Sequence, residues 1–358
     1  MRYYCTYFDH NYLPRGLALY ESLRRHAPNF ELWVLCLSRQ CHEWLTQRNL
    51  PGIRAIALDE FERADPELLR AKQNRSIVEY YFTCSPSLPL FVFAQAPQAN
   101  LVTYLDSDLY FFRDPEPVFA EMGARSIAII AHRFPPALRH LEETGVYNVG
   151  WVSFRRDAAA RACLDWWRAR CLEWCYDRTE PGRYADQKYL DQWPALFQGV
   201  ATLANKGANL APWNLANYQV RFRDGRVRVD DDELVFFHFH GFQPVNRWLY
   251  DPRLKRFGAR PTHAIRRHVF LPYWQALQCA QRDVQSASSS QLVPEGLRHV
   301  AREGQPAAPS SAWQQAWAKV SRWHRLSVGV LKQRYVLVWP WQADHLAEPA
   351  AEPLEVEA

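Results

Sequence analysis

The chain has 358 residues, 48% of them hydrophobic and 23% charged, and 43 Lys and Arg against 38 Asp and Glu leave a net charge of +5. These values fit a folded globular chain and exclude a mainly disordered or collagen-like one. The charge is too mild for a dedicated nucleic-acid binder. No apolar run reaches the roughly 18 residues that a transmembrane helix needs.

The first residues, MRYYCTYFDHNY, show no charged region followed by a long apolar one, so no secretion signal is expected and the cytoplasm is the expected location. The eight Cys lack the paired CxxC spacing of a zinc site and are expected as buried or half-buried free thiols. Cys171 and Cys175, four apart, would share one helix face. Residues 2–8 read as a buried strand, and the run from Leu13, with Pro14 at its start, reads as a helix. Residues 31–37 and 53–58 read as further strands on either side of a helix at 39–48. This alternation predicts βαβ units and an α/β fold with a mostly parallel sheet. Residues 65–96 read mainly as helix, interrupted near Ser85–Pro89. Strands are expected at 101–105, 126–132, 148–154 and 234–240, and an amphipathic helix at 157–175.

Three places carry chemistry. Residues 101–105 run straight into Asp106-Ser107-Asp108. At the carboxyl end of a parallel strand, side chains meet the crevice where α/β folds bind ligands. Two carboxylates there repel each other unless a cation lies between them, and they suit Mn²⁺ or Mg²⁺. Second, in VFFHFHGF, strand alternation puts Phe236, His238 and His240 on one face, beside Gly241. Either imidazole can complete a metal shell. Third, TYFDHNYLPRG ends a strand in Asp9, Asn11 and Tyr12 before a helix start, which favours a base and phosphates nearby.

Together these resemble the GT-A glycosyltransferases, and more closely glycosyltransferase family 8, the family of glycogenin and bacterial galactosyl- and glucosyltransferases. The motifs fall in the family's order: Thr6/Asp9/Asn11/Tyr12, Asp106/Asp108, Tyr147-Asn148-Val149-Gly150, Asp186-Gln187 and His238/Gly241. The resemblance covers residues 1–280 and implies a GT-A fold, a nucleotide-sugar donor and transfer with retention. It implies that Asp106, Asp108 and His238, with His240 as the alternative, hold Mn²⁺ or Mg²⁺ against the donor diphosphate. Thr6, Asp9, Asn11 and Tyr12 would contact the base and ribose of a UDP-sugar, with Ser107 at the ribose and Arg75 and Gly241 in the donor site. Asn148 would line the sugar, and Asp186 and Gln187 would lie at the reacting centre. The family's Lys for the leaving diphosphate is replaced: Pro244 stands at its position, and Arg247 is the nearest cation that suits phosphate. The implied partners are the donor and a glycan, lipid-linked or protein acceptor. The loops 212–218 and 241–248, which mix Trp with amides, are candidates for an acceptor site.

Two other readings compete. Phosphatases with a strand-borne DxD open their domain with the motif, whereas here a hundred residues precede it. A non-catalytic carbohydrate-binding or scaffold protein would not need both the DxD and the histidine. Residues 281–311 read as a linker. Residues 312–358 read as a helical tail whose Trp and basic side chains suit a partner or an anionic membrane surface.

Overall fold

The computed structural model of the chain describes residues 1–246, 248–287 and 335–338. The strands are β1 (Arg2–Phe8), β2 (Phe30–Cys36), β3 (Ile53–Ala57), β4 (Leu101–Leu105), β5 (Leu109–Phe111), β6 (Ile127–Ala131), β7 (Tyr147–Arg155), β8 (Val200–Leu203), β9 (Val220–Arg223), β10 (Arg226–Val229), β11 (Asp232–Glu233), β12 (Phe236–His238), β13 (Gln243–Asn246), β14 (Leu249–Asp251) and β15 (Val336–Leu337). The helices used below are α1 (Leu13–His26), α2 (Arg39–Arg48), α3 (Leu58–Ala64), α4 (Pro66–Lys72), α5 (Ile77–Cys84), α6 (Ser87–Gln95), α7 (Glu116–Met122), α8 (Ala158–Glu173), α9 (Trp193–Leu196), α10 (His263–Ile265) and α11 (Leu271–Ala287).

Seven strands form one sheet in the order β3-β2-β1-β4-β7-β6-β8. All pairings are parallel except those of β7, which runs antiparallel to β4 and β6. The apolar runs are buried on both faces, as a covered parallel sheet requires. In β1, Tyr3 and Cys5 enter a core shared with α5, α6 and α8, while Tyr4 and Phe8 enter a core shared with α1, α2 and α7. A third core joins α11 to β10, β12 and β14.

The sheet order explains where a site can form. The chain builds β1, β2 and β3 in one direction, then returns to lay β4 on the other side of β1. The strand order therefore reverses between β1 and β4, and their neighbouring carboxyl ends form the kind of switch point where such sheets bind ligands. Those ends carry Asp9–Tyr12 and Asp106–Asp108. Because β7 is antiparallel, its first residues, Tyr147 and Asn148, lie at this same edge, and Asp106 N donates to Gly150 O at 3.0 Å.

Four local expectations are corrected. The strand expected at 234–240 is only Phe236–His238; Phe239 N still follows the register by donating to Asp108 O at 2.9 Å, and the chain then turns at Gly241, φ +69°. Helix α8 ends at Glu173, so Cys175 lies beyond the helix face it was expected to share with Cys171. Seven cysteines are buried free thiols, but Cys279 is exposed. In the expected helical tail, Val336 and Leu337 instead pair as a strand with β14, and Val338 is buried. The remainder of residues 288–358, with the Trp and basic residues singled out there, lies outside the described residues.

Candidate active site

The site begins at the end of β4. Tyr104 OH donates to Asp106 Oδ1 at 2.9 Å, which fixes the first carboxylate as the strand ends. Asp108 follows after one buried residue, Ser107. Strand β12 pairs antiparallel with β5, setting His238 opposite Leu109. That register delivers the His238 Nε2 to 3.0 Å from Asp108 Oδ1 and 3.6 Å from Asp106 Oδ2.

The other nitrogen of His238 is equally constrained. Its Nδ1 lies 3.2 Å from Asn148 Oδ1, which also accepts from Gly150 N at 3.1 Å and Asn209 Nδ2 at 3.2 Å. A carbonyl oxygen only accepts, so Nδ1 carries a proton and Nε2 is turned to the carboxylates. Position 150 must be glycine here, since a Cβ would come within 2.5 Å of Asn148 Oδ1 and 2.8 Å of His238 Nδ1. Asn148 in turn donates through Nδ2 to Gln187 Oε1 at 3.3 Å, and Gln187 Nε2 donates to Thr144 O at 3.1 Å. One hydrogen-bonded chain therefore joins Gln187, Asn148, His238 and Asp108.

Electrostatics follow from burial and this pairing. Burial would raise the Asp108 carboxyl, but His238 outweighs it and holds it at about 2. Burial raises the Asp106 carboxyl, with His238 opposing and Asp108 adding to the effect. Burial disfavours the charged form of His238, yet Asp108 and Asp106 leave its pKa raised. Asp186 is pushed up to about 7, first by burial and further by the Asp106 charge, against a hydrogen bond from Ser85. Asp108, His238 and His240 have ligand atoms within 4.8 Å of one another. The donor set, hard carboxylates with imidazole, fits Mn²⁺ or Mg²⁺.

The remaining expected residues divide. Asp9 accepts from Asn11 N at 2.9 Å and Tyr12 N at 3.1 Å, so it shapes the loop that presents the exposed ring of Tyr12. Thr6 is fully buried in β1, with no hydrogen-bond partner for its hydroxyl among the described residues. His240 is exposed past the end of β12, its ring 6.1 Å from that of His238. Gly241 turns the chain there at φ +69°. Arg75 is engaged elsewhere: it donates to Leu172 O at 3.3 Å at the end of α8 and lies 4.0 Å from the Tyr176 ring. Glu79 closes a capping box with Ser76 at the start of α5. Arg247 lies outside the described residues.

Other side chains complete the surroundings, most of them not singled out by the sequence. Asn209 holds Asn148 from a left-handed backbone conformation, φ 61°. Trp213, expected on a sugar-binding loop, is buried instead and packs edge-on to His238 at 5.0 Å and His240 at 5.5 Å. Arg253 and Arg256 bring positive charge towards His240. Arg15 is buried at the start of α1. Its sequence signal was a cation in the first turn of a helix, the end that disfavours one.

No family model matches the chain. It is 33% identical over 294 residues to the uncharacterized protein YfnD of Bacillus subtilis (strain 168), spanning 80% of this chain and 91% of that protein. It is 31% identical over 251 residues to YfnF of the same strain, spanning 68% of this chain and 82% of that protein. Among solved structures, the galactosyltransferase LgtC in complex with donor and acceptor sugar analogues superposes with a TM-score of 0.48 at 16% identity, covering 77% of this chain and 95% of that one. Mouse xyloside xylosyltransferase 1 superposes with a TM-score of 0.41 at 16% identity, covering 68% and 99%.

Proposed function

Starting from a chain that belongs to the family of the Bacillus subtilis proteins YfnD and YfnF, we propose that it is a metal-dependent glycosyltransferase that takes a sugar from a UDP-sugar. The observation that carries this is the cluster of Asp106, Asp108 and His238 at the switch point of the sheet, with the imidazole oriented by Asn148. A divalent cation held by these residues would supply counter-charge for a leaving diphosphate.

The chain's own residues then have distinct tasks. Tyr12, exposed beside the crevice, offers a face to the base. Asn148 keeps the Nδ1 proton of His238 occupied, so that Nε2 faces the carboxylates. Gln187, hydrogen-bonded to Asn148, and the buried Asp186 are the candidates for the side where the sugar would lie. With a pKa near 7, Asp186 can donate a hydrogen bond that an ordinary carboxylate cannot. Arg253 and Arg256, with Arg247, are the candidates for stabilising the departing phosphates. The acceptor is a glycan, lipid or protein hydroxyl, and transfer with retention is the reading carried from the sequence resemblance.

The test is thermal stabilisation by UDP with and without Mn²⁺. A ligand at a hundred times its Kd adds about 2.7 kcal/mol to stability. UDP is expected to raise the melting temperature only when Mn²⁺ is present, and Asp106→Ala is expected to lose the effect. A wild-type protein indifferent to every nucleoside diphosphate, with or without metal, overturns the proposal.

A further inference from the structure

Arg15 is only 6% exposed, yet among the described residues no carboxylate lies within ion-pairing distance of it. A buried guanidinium without an acid partner is costly unless other groups replace its water. Two do so here. Its Nη2 donates to Phe242 O at 2.9 Å, on the turn that follows His238 and His240. Its carbon lies 4.6 Å from the centroid of the Tyr12 ring. At longer range its charge also helps to hold the Asp108 carboxyl low. The helix start itself opposes this charge, so its placement answers to the site and not to α1.

These contacts join the two halves of the crevice. Tyr12 belongs to the loop after β1, and Phe242 to the segment after β12 that carries the metal-facing histidine. We propose that Arg15 is a positioning residue that clamps Tyr12 to the His238 segment, so that a nucleoside diphosphate is gripped at its base and its phosphates in one fixed geometry. This rests on the nucleotide-sugar reading above. The guanidinium is suited to the task because its planar fork can stack on one face of the Tyr12 ring while an N–H reaches a carbonyl. The other face of the ring is left to the base, and Tyr12 keeps 46% of its surface open. A lysine offers a point charge and cannot do both.

The experiment titrates UDP, with saturating Mn²⁺, into the wild-type protein, Arg15→Lys, Arg15→Gln, Tyr12→Ala and the Arg15→Lys/Tyr12→Ala double variant. Circular dichroism and melting temperature establish that each is folded. Arg15→Lys and Arg15→Gln are expected to weaken UDP binding about tenfold, while Mn²⁺ binding alone changes much less. The double variant is expected to lose little beyond Tyr12→Ala, because the two residues act through one contact. Additive losses in this cycle would mean independent roles and would overturn the proposal. So would folded Arg15 variants that bind UDP as the wild type does, or Arg15 variants that all fail to fold. A wild type that binds no nucleoside diphosphate overturns the transferase reading itself, which separates that failure from failure of the Arg15 role.

Discussion

At the scale of the residue, the site depends on polar atoms whose partners are all supplied by the fold. Asn148 shows this most directly. Its Oδ1 serves His238, Gly150 and Asn209, so no other group can set the tautomer of the imidazole. Asn148→Leu should weaken Mn²⁺ binding by about ten- to a hundredfold, as removal of groups that orient metal ligands does elsewhere. A titration of Mn²⁺ against the folded variant reads this directly. Asp186 makes a prediction in pH. Its carboxyl is raised to about 7 in the folded protein from an ordinary value of 3.8. The folded state therefore holds a proton that the unfolded chain releases, and stability from this group falls as pH rises from about 4 to 7. Asp186→Asn removes that slope. The gap in urea-unfolding free energy between the variant and the wild type should widen in the variant's favour across this window and stay level above it.

At the scale of the element, the decisive strand is β7. It carries its polar residues in the middle of a buried run, and each is answered across the sheet. Thr103 of β4 and Ser153 of β7 are both fully buried, with their hydroxyl oxygens 2.8 Å apart. Thr103→Val alone strands the Ser153 hydroxyl and should cost about 1–3 kcal/mol. Thr103→Val with Ser153→Ala should recover much of that loss, because both partners are then apolar. Trp151 lies between them and the site, fully buried and stacked on Phe236 at 5.3 Å. It braces β7 against β12, the strand that brings His238. Trp151→Ala should cost about 3–5 kcal/mol in denaturant unfolding, and it should loosen metal binding in the molecules that remain folded.

At the scale of the whole molecule, the site is assembled from both ends of the chain. Residues 1–12 supply the loop that carries Asp9 and Tyr12, and residues 236–242 supply the histidines. The third core, around α11, holds the second group in place. A distant segment completes that core: β15 pairs with β14, Val338 is 2% exposed, and Val338 N donates to Trp248 O at 2.7 Å. Val338→Asp would bury a charge with no apolar surface to spare and should lower stability by at least about 2 kcal/mol. The melting temperature checks it, with Val338→Ile as the control expected to stay close to the wild type.

The sequence by itself determined the pieces. Strand β1, helices α1 and α2, and strands β2 to β4 follow from apolar periodicity and turn residues, because their partners are near in the chain and both sheet faces are buried. The carboxylates of Asp106 and Asp108 stood out as paired charges at the end of an apolar strand, the histidines at 238 and 240 by strand alternation, and Asn148 only through the motif order shared with the resembling family. Only the tertiary structure decided how they meet. The antiparallel run of β7 turns Asn148 to the same edge as Asp106, and the pairing of β12 with β5 brings the buried His238 against Asp108, with the exposed His240 close enough for its ligand atom to lie within 4.8 Å of theirs. Strand direction and register are set by contacts between segments far apart in the chain, about fifty residues apart for β4 with β7 and more than a hundred for β5 with β12, which no local pattern encodes. The same reason hid Arg15: its partners, Tyr12 and Phe242, become neighbours only when the first and last strands of the crevice are brought together.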